Sequence, residues 1–328
     1  MNDKDKAVLP DIFSEVQTAE SLIRTHIRET PLEHSPFLSI QSGCHVYLKL
    51  ENIQITGSFK LRGALNKILS LSDQQKKQGI ITASSGNHGA AFAYILNKFN
   101  LKGTIFLPEN ASSSKIDHLR LYGANIKQYG DDCVLAEAQA RKTAEKKGSI
   151  YVSPYNDIKI IGGQGTIGIE LERQLKKTEI VLCPVGGGGL ISGVGGYLKH
   201  TNPDVKIIGC QPENSAVMYK SIQAGRILDI PSLPTLSDGT AGGIEQDSIT
   251  FELCRKYVDD FYLVSEKEIK QAIILILEKH CLLIEGGAAL PVAAFLKNHS
   301  IFKGKNVSLI LSGSRISRQK MAEIICGG

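Results

Sequence analysis

Short apolar runs, each followed by a glycine-rich or polar turn and then by apolar residues at helical spacing, recur along the whole chain. GIITASSGNHGAAFAYIL predicts a strand over Ile80–Ala83 and a helix starting at Asn87. GTIFLPENASSSKIDHLRLYGA predicts a strand over residues 104–107 and a helix capped among Ser112, Ser113 and Ser114. ANIKQYGDDCVLAEAQARKTAEKKG repeats the arrangement, with Asp131 or Asp132 as the cap. EIVLCPVGGGGLISGVGGYLKH, DVKIIGCQPENSAVMYKSIQAG and a last apolar strand over residues 307–313 continue it. Strands apolar on both faces and separated by helices predict an α/β fold of open, mostly parallel twisted sheets flanked by helices. No repeat or low-complexity linker marks a boundary. Residues 1–52 with 148–328 are expected to form a larger domain, and 53–147 a smaller one inserted into it.

Composition narrows the function. At 328 residues the chain can bury a sizeable core in two lobes, and 42% hydrophobic with 22% charged residues describes an ordinary globular protein. The formal charge of +5 is modest and the lysines are scattered. No basic run is interleaved with aromatics, so nucleic acid is not an expected partner. The polar start, MNDKDKAVLP, reads as neither a signal peptide nor an anchor. No apolar run reaches the roughly 18 residues of a membrane span. The seven cysteines are dispersed and lack a C-x-x-C pair, so neither a disulfide framework nor a zinc site is expected. Reduced thiols in the cytoplasm fit that pattern.

In open α/β sheets ligands bind where strands end and helices begin. Four consecutive glycines, Gly186, Gly187, Gly188 and Gly189, lie between an apolar strand and a helix. There, successive backbone N–H groups can converge on one point while the helix adds its positive end, which makes a phosphate cradle without a basic side chain. The loop lacks the Gly-Lys-Ser/Thr ending of a nucleotide P-loop. GQGTIG, residues 163–168, matches G-x-G-x-x-G, but no acidic residue follows at the distance a ribose requires. Its glycines are expected to bring a helix N-terminus close to the sheet. The turn SSGNHGA, residues 84–90, offers backbone N–H groups for a carboxylate and the Asn87 amide as a donor. His88 within it reads equally well as a neutral structural histidine.

The segment GSFKLRGA places Lys60 two residues after Ser58, which reads as a helix N-cap. The first helical turn carries the positive end of the macrodipole, a poor place for a cation. Flanking Phe59 and Leu61 reduce solvation as well. Both effects lower an amine pKa, and a neutral lysine is a nucleophile that forms imines with aldehydes, pyridoxal phosphate among them.

GSFKLRGA, SSGNHG and GGGGL in this order, with RETPL, GQGTIGIE, SDGTAGG and the terminal LSGS, resemble the fold type II pyridoxal-phosphate enzymes over nearly the whole chain. Within them the resemblance is to the threonine/serine dehydratase and serine racemase family, whose fold is similar to the tryptophan synthase β chain. The resemblance implies that Lys60 forms the imine with pyridoxal 5'-phosphate and later moves the substrate α-proton. It implies that Gly186, Gly187, Gly188 and Gly189 hold the phosphate. By the same likeness, Asn87 bonds the ring hydroxyl, Phe59 packs on a ring face, Ser312 contacts the ring nitrogen, and Gly239 lies beside the cofactor. Ser84, Ser85, Gly86, Asn87 and His88 form the turn that holds the substrate carboxylate.

The activity so implied is β-elimination from L-threonine and/or L-serine, giving a 2-oxo acid and ammonia, by a cytoplasmic homodimer. Ser85 stands where racemases of this family place their second acid–base group, so amino-acid racemisation is the alternative. A larger hydroxy amino acid, such as 3-hydroxyaspartate or an ectoine-derived compound, is another. Arg315 replaces the asparagine that often ends the motif SGGN. The family's divalent-metal ligands match Gln211, Ser215 and Val217 here, and two of its carboxylates are missing, so no metal is expected. Glu285, in LLIEGGAA, matches a family acid of the same region. The pair Asp259 and Asp260 is expected at a helix end facing solvent, and His280 and Cys281 inside an apolar helix.

Overall fold

Two sheets carry the chain in a computed structural model that describes residues 9–327. Residues 1–8, most of the segment read as neither signal nor anchor, lie outside the described residues. The described strands are β1 (Leu32–His34), β2 (His45–Lys49), β3 (Ile80–Ala83), β4 (Gly103–Leu107), β5 (Asn125–Gln128), β6 (Ile150–Tyr151), β7 (Ile180–Pro184), β8 (Lys206–Pro212), β9 (Asp260–Val264) and β10 (Asn306–Ile310). The larger sheet runs β1-β2-β10-β7-β8-β9 and the smaller β5-β4-β3-β6. Only β1 pairs antiparallel, with β2; the other described ladders are parallel, in line with apolar strands separated by helices.

Every residue of β7 is buried, because helices cover both faces of the larger sheet. Leu182, Leu290 and Phe295 meet on one face; Val181, Ile191 and Val194 on the other. Fully burying each such side chain contributes roughly 1.5–3 kcal/mol. The smaller sheet packs Ile80 and Ile105 against Phe92, Ile95 and Leu65. Strand β6 lies just beyond residue 148, the boundary expected from the sequence, and yet pairs with β3 in the smaller sheet. The last strand ends at Ile310 rather than Gly313. Past it, Leu311 N–H still reaches the Lys49 carbonyl, but Gly313 turns to pair with Ser58.

The GQGTIG glycines do not begin a helix; they lie in the middle of Ile158–Gln174. That helix starts at Asp157, whose carboxylate accepts from Lys159 N–H at 2.8 Å. A Cβ at Gly163 would lie 2.5 Å from the Arg62 carbonyl oxygen, and one at Gly165 2.8 Å from that of Gly193. These glycines let three helices cross closely, a contact the sequence does not announce. Two of these helices, Lys60–Leu69 and Ile158–Gln174, also join a buried ion network with β2 and residues 51–53. Arg62 pairs with Glu51 and Glu170, each at 2.7 Å, and Lys49 with Glu170 at 2.6 Å. Lys49 also donates to the Thr30 carbonyl at 2.7 Å.

Two smaller expectations change. Asp259 does not simply face solvent: it pairs with Lys199 at 2.8 Å and accepts from Ile207 N–H at 2.7 Å, anchoring the start of β8. His280 ends the helix Glu266–His280, but Cys281 lies past it, exposed, with φ of 54°.

Candidate active site

The helix Lys60–Leu69 carries the candidate lysine at its first position. Its entry is pinned to the end of β10: Phe59 N–H donates to the Ser312 carbonyl at 3.1 Å, and Ser58 bridges Gly313. Ser58 therefore does not cap the helix. The flanking residue is Phe59, already in helical backbone conformation, and the buried Ser58 hydroxyl has no hydrogen-bond partner among the described residues. Engaging the Ser58 backbone with Gly313 takes that residue out of capping position.

The Lys60 amine donates to the Pro154 carbonyl at 2.8 Å and has no carboxylate within ion-pair distance among the described residues. Burial lowers its pKa to about 8, and the Glu285 carboxyl offsets only part of that loss. The ammonium lies 5.2 Å from the centre of the Phe59 ring.

Beyond β7 the glycine loop leads into the helix Gly189–Thr201, and no side chain caps that helix. Gly188, at φ 84°, makes the turn, where a side chain would be strained. A Cβ on Gly187 would lie 2.4 Å from the Tyr155 ring, and one on Gly186 would lie 3.0 Å from Thr240 Cα. The loop is thus clasped between Tyr155 and the turn Asp238–Thr240, which carries Gly239. Its N–H groups and those of the first helical turn are left for an anion.

A second uncapped helix, Asn87–Lys98, starts after β3. Gly86 N–H donates to the Ser84 hydroxyl at 3.2 Å, and Ser85 is partly buried with no hydrogen-bond partner among the described residues. Gly89 is obligatory, since a Cβ there would fall 2.0 Å from the Ser84 carbonyl oxygen. The His88 ring faces the Val152 carbonyl at 3.3 Å. Burial, and then the Lys60 charge, push its pKa down to about 3, so His88 is neutral. The Asn87 amide donates to Glu285 Oε1 at 2.7 Å, while its Oδ1 is buried without a partner among the described residues.

The structure therefore links Lys60, Phe59, the residues from Ser84 to His88, the glycine loop, Gly239 and Ser312 in one region, through Pro154 and Tyr155 on one side and Glu285 and Gly313 on the other. It also adds Glu285, which the sequence alone sets only beside the family's metal region. An acid directly before two glycines in an apolar run was the available signal. Glu285 lies against Asn87 and Gly313 instead. Gln211 is occupied by Val185 and Tyr219, Ser215 by Ser232, and Val217 is apolar and buried. Glu213 faces Lys297 at 3.5 Å.

An amine of depressed pKa, an uncapped glycine cradle and a partnerless buried amide oxygen fit an aldehyde that carries a phosphate and a ring hydroxyl. Pyridoxal phosphate has those groups. Comparison with known proteins agrees. The family model described as pyridoxal-phosphate dependent enzyme matches residues 23–313. An L-threonine ammonia-lyase of Thermotoga maritima is 42% identical over 316 residues, covering 96% of this chain and 78% of that protein. The processed form of threonine deaminase isoform 2 from Solanum lycopersicum superposes with a TM-score of 0.92 at 33% identity, covering 99% of this chain and 88% of that one. Maize serine racemase gives 0.90 at 29% identity, covering 96% and 97%. With the match spanning both sheets and the whole of the cleft, the chain belongs to the pyridoxal-phosphate dependent enzymes, in the branch that holds threonine deaminases and serine racemases.

Proposed function

We propose that this chain is a pyridoxal-phosphate-dependent ammonia-lyase that converts L-threonine and/or L-serine to a 2-oxo acid and ammonia. The observation that carries the reading is Lys60, an amine with a pKa of about 8 and no carboxylate partner among the described residues, together with two helix N-termini that no side chain caps. The names of relatives such as the Thermotoga maritima ammonia-lyase support the reaction and the substrate.

The cofactor, when bound, supplies the electron withdrawal that makes the substrate α-proton acidic. The chain supplies the rest. The N–H groups of Gly186, Gly187, Gly188 and Gly189, with the helix dipole behind them, neutralise a phosphate. Ser84, Ser85, Gly86, Asn87 and His88 hold the substrate carboxylate through backbone and side-chain donors. Lys60, aimed by the Pro154 carbonyl, takes the α-proton on Nζ as general base. His88, with its pKa held at about 3, is too weak a base to compete for that proton. Ser312 offers the ring nitrogen a hydroxyl rather than a carboxylate, so protonation there is not enforced; Phe59 and Gly239 confine the ring.

Incubating the protein and cofactor with L-threonine, L-serine or D-serine tests this, with 2-oxo acid, ammonia and the opposite enantiomer all measured. Ammonia from L-threonine that disappears in Lys60→Ala is the expected result; a wild-type protein that releases none from either L-amino acid overturns it.

One observation favours a second reading. Ser85 is partly buried in the carboxylate turn and has no hydrogen-bond partner among the described residues, as a second acid–base group on the opposite face of the α-carbon would be. Racemisation then accompanies elimination, and Ser85→Ala removes inversion while sparing deamination of the L-amino acid. A homodimer in the cytoplasm completes the proposal. It rests on the family resemblance, and equilibrium sedimentation tests the oligomeric state.

A further inference from the structure

One buried carboxyl spans the gap between the two sheets. Glu285 directly precedes the helix Gly286–Asn298 on the larger sheet, and its own N–H donates to the Gly313 carbonyl at 3.1 Å. Its Oε2 accepts from Arg315 N–H at 3.0 Å, which fixes one side of the carboxyl to the segment after β10. Its Oε1 accepts from Asn87 Nδ2 at 2.7 Å, and Asn87 belongs to the helix that follows β3 of the smaller sheet. Glycines make the room: a Cβ on Gly313 would lie 2.6 Å from Oε1, and Gly239 and Gly287 approach it as well. No lysine or arginine side chain pairs with this carboxyl among the described residues, although it is buried. A cross-lobe hydrogen bond to a buried, unpaired carboxyl is costly to maintain for structure alone.

We propose that Glu285 is a positioning residue for the cofactor site: by gripping Asn87 Nδ2 it fixes the Asn87 amide, so that Oδ1 and the second N–H of that amide face the ring hydroxyl of pyridoxal phosphate. The inference rests on the reading of Asn87 as the partner of that hydroxyl. The partnerless Asn87 Oδ1 is what such an arrangement leaves behind. It also makes the amide sensitive to protonation. As a carboxylate Glu285 can only accept, and holds Nδ2. As a neutral acid it carries one O–H, which satisfies Asn87 Oδ1 instead and reverses the amide. The groups facing Glu285 from the surrounding elements are Asp238, Arg315 and Lys60, and His88 stays neutral. Burial first, then Asp238, raise the Glu285 pKa to about 7, so the reversal falls in the neutral range.

The test is the visible absorption of the holoenzyme across neutral pH, with cofactor affinity from the same titrations. Wild type is expected to exchange two cofactor bands on titration through the neutral range, the direction set by the burial of Glu285. Glu285→Gln, which keeps the shape, is expected to abolish the exchange and weaken cofactor binding about tenfold, the usual effect of losing a charge-assisted hydrogen bond. Asn87→Ala is expected to abolish it too, and adding Glu285→Gln to Asn87→Ala should change neither quantity further. A merely structural role would move thermal stability but leave the bands exchanging. An unchanged exchange in Glu285→Gln, or an effect that persists in full without Asn87, overturns the inference while leaving the cofactor site intact. If Glu285→Gln does not fold, retention of the exchange in Asn87→Ala overturns it. A wild type that gains no visible band with the cofactor overturns the site reading and this inference together.

Discussion

Lys60 and Arg62 stand two residues apart in the first turn of one helix, and the fold treats their charges in opposite ways. Arg62 is fully buried between Glu51 and Glu170, at 2.7 Å from each. Lys60 is given a carbonyl at 2.8 Å and, among the described residues, no carboxylate. Neutralising one cation lets the other be stripped of its charge without the helix start carrying two uncompensated positives. The sequence KLRGA thus joins a rivet to a reactive amine.

The rivet predicts a stability loss. Burial alone would push the Glu170 pKa up, but Arg62 and Lys49 outweigh it and hold it at about 2 against an ordinary 4.5. A depressed pKa contributes stability that is fully present above about pH 4.5 and is lost as pH falls through about 2. The shift corresponds to about 3 kcal/mol. Glu170→Gln should lower the urea unfolding free energy at pH 7 by roughly 3–5 kcal/mol, since it leaves Arg62 and Lys49 short of a counter-charge. An equal curve for both proteins would show that the network carries no net stability.

The amine predicts a pH dependence. With a pKa of about 8, roughly one Lys60 in ten is neutral at pH 7, against about one in three thousand for an unperturbed lysine. Uptake of pyridoxal phosphate by the cofactor-free protein should therefore speed up about tenfold per pH unit below 8 and level off above it. Stopped-flow absorbance measures this, with Lys60→Ala as the blank. A rate that keeps climbing past pH 10 would mean that the cleft leaves Lys60 solvated.

The cradle predicts a steric effect. A methyl on Gly187 must fit where the Tyr155 ring lies 2.4 Å away, and that ring is held by its hydroxyl, which accepts from Glu245 N–H at 2.9 Å. Overpacking of this kind costs about 1–3 kcal/mol. Gly187→Ala should weaken cofactor binding by about tenfold to a hundredfold. Equilibrium dialysis checks it, and Gly187→Ala/Tyr155→Ala should recover part of the loss because the obstructing ring is gone.

Much of this site was legible before the fold was known, because strand-to-helix turns announce themselves by composition. Ile80–Ala83 and the start at Asn87 follow from an apolar run meeting SSGN, and the glycine loop from four residues that tolerate any backbone. Asp132 caps its helix by accepting from Leu135 N–H at 2.7 Å, one of the two aspartates expected to do so. What failed depended on partners distant in the chain. Ser58 has the residue type of a cap, but Gly313 takes its backbone into a bridge. The GQGTIG glycines mimic a turn, but serve crossings with Gly63 and Gly193. Glu285 gives no local sign that its partner is Asn87, 198 residues away.

Glu285 itself predicts a variant that is more stable yet a weaker binder. Its pKa, raised by burial to about 7, means that the folded protein keeps a proton which the unfolded chain releases at about 4.5. Stability therefore falls as pH rises from about 4.5 to 7, by about 3 kcal/mol at most, and stays lower above that window. Glutamine cannot ionise, so Glu285→Gln escapes this loss. In the cofactor-free state at pH 8 the variant should unfold at higher urea than wild type, with the gap closing towards pH 5. The gain will be smaller than the full shift, because the bond to Asn87 Nδ2 is weaker from an amide oxygen than from a carboxylate. A variant destabilised equally at pH 5 and pH 8 would assign Glu285 to packing alone. Greater stability together with looser cofactor binding is the pattern of a residue kept for the site at the expense of the fold.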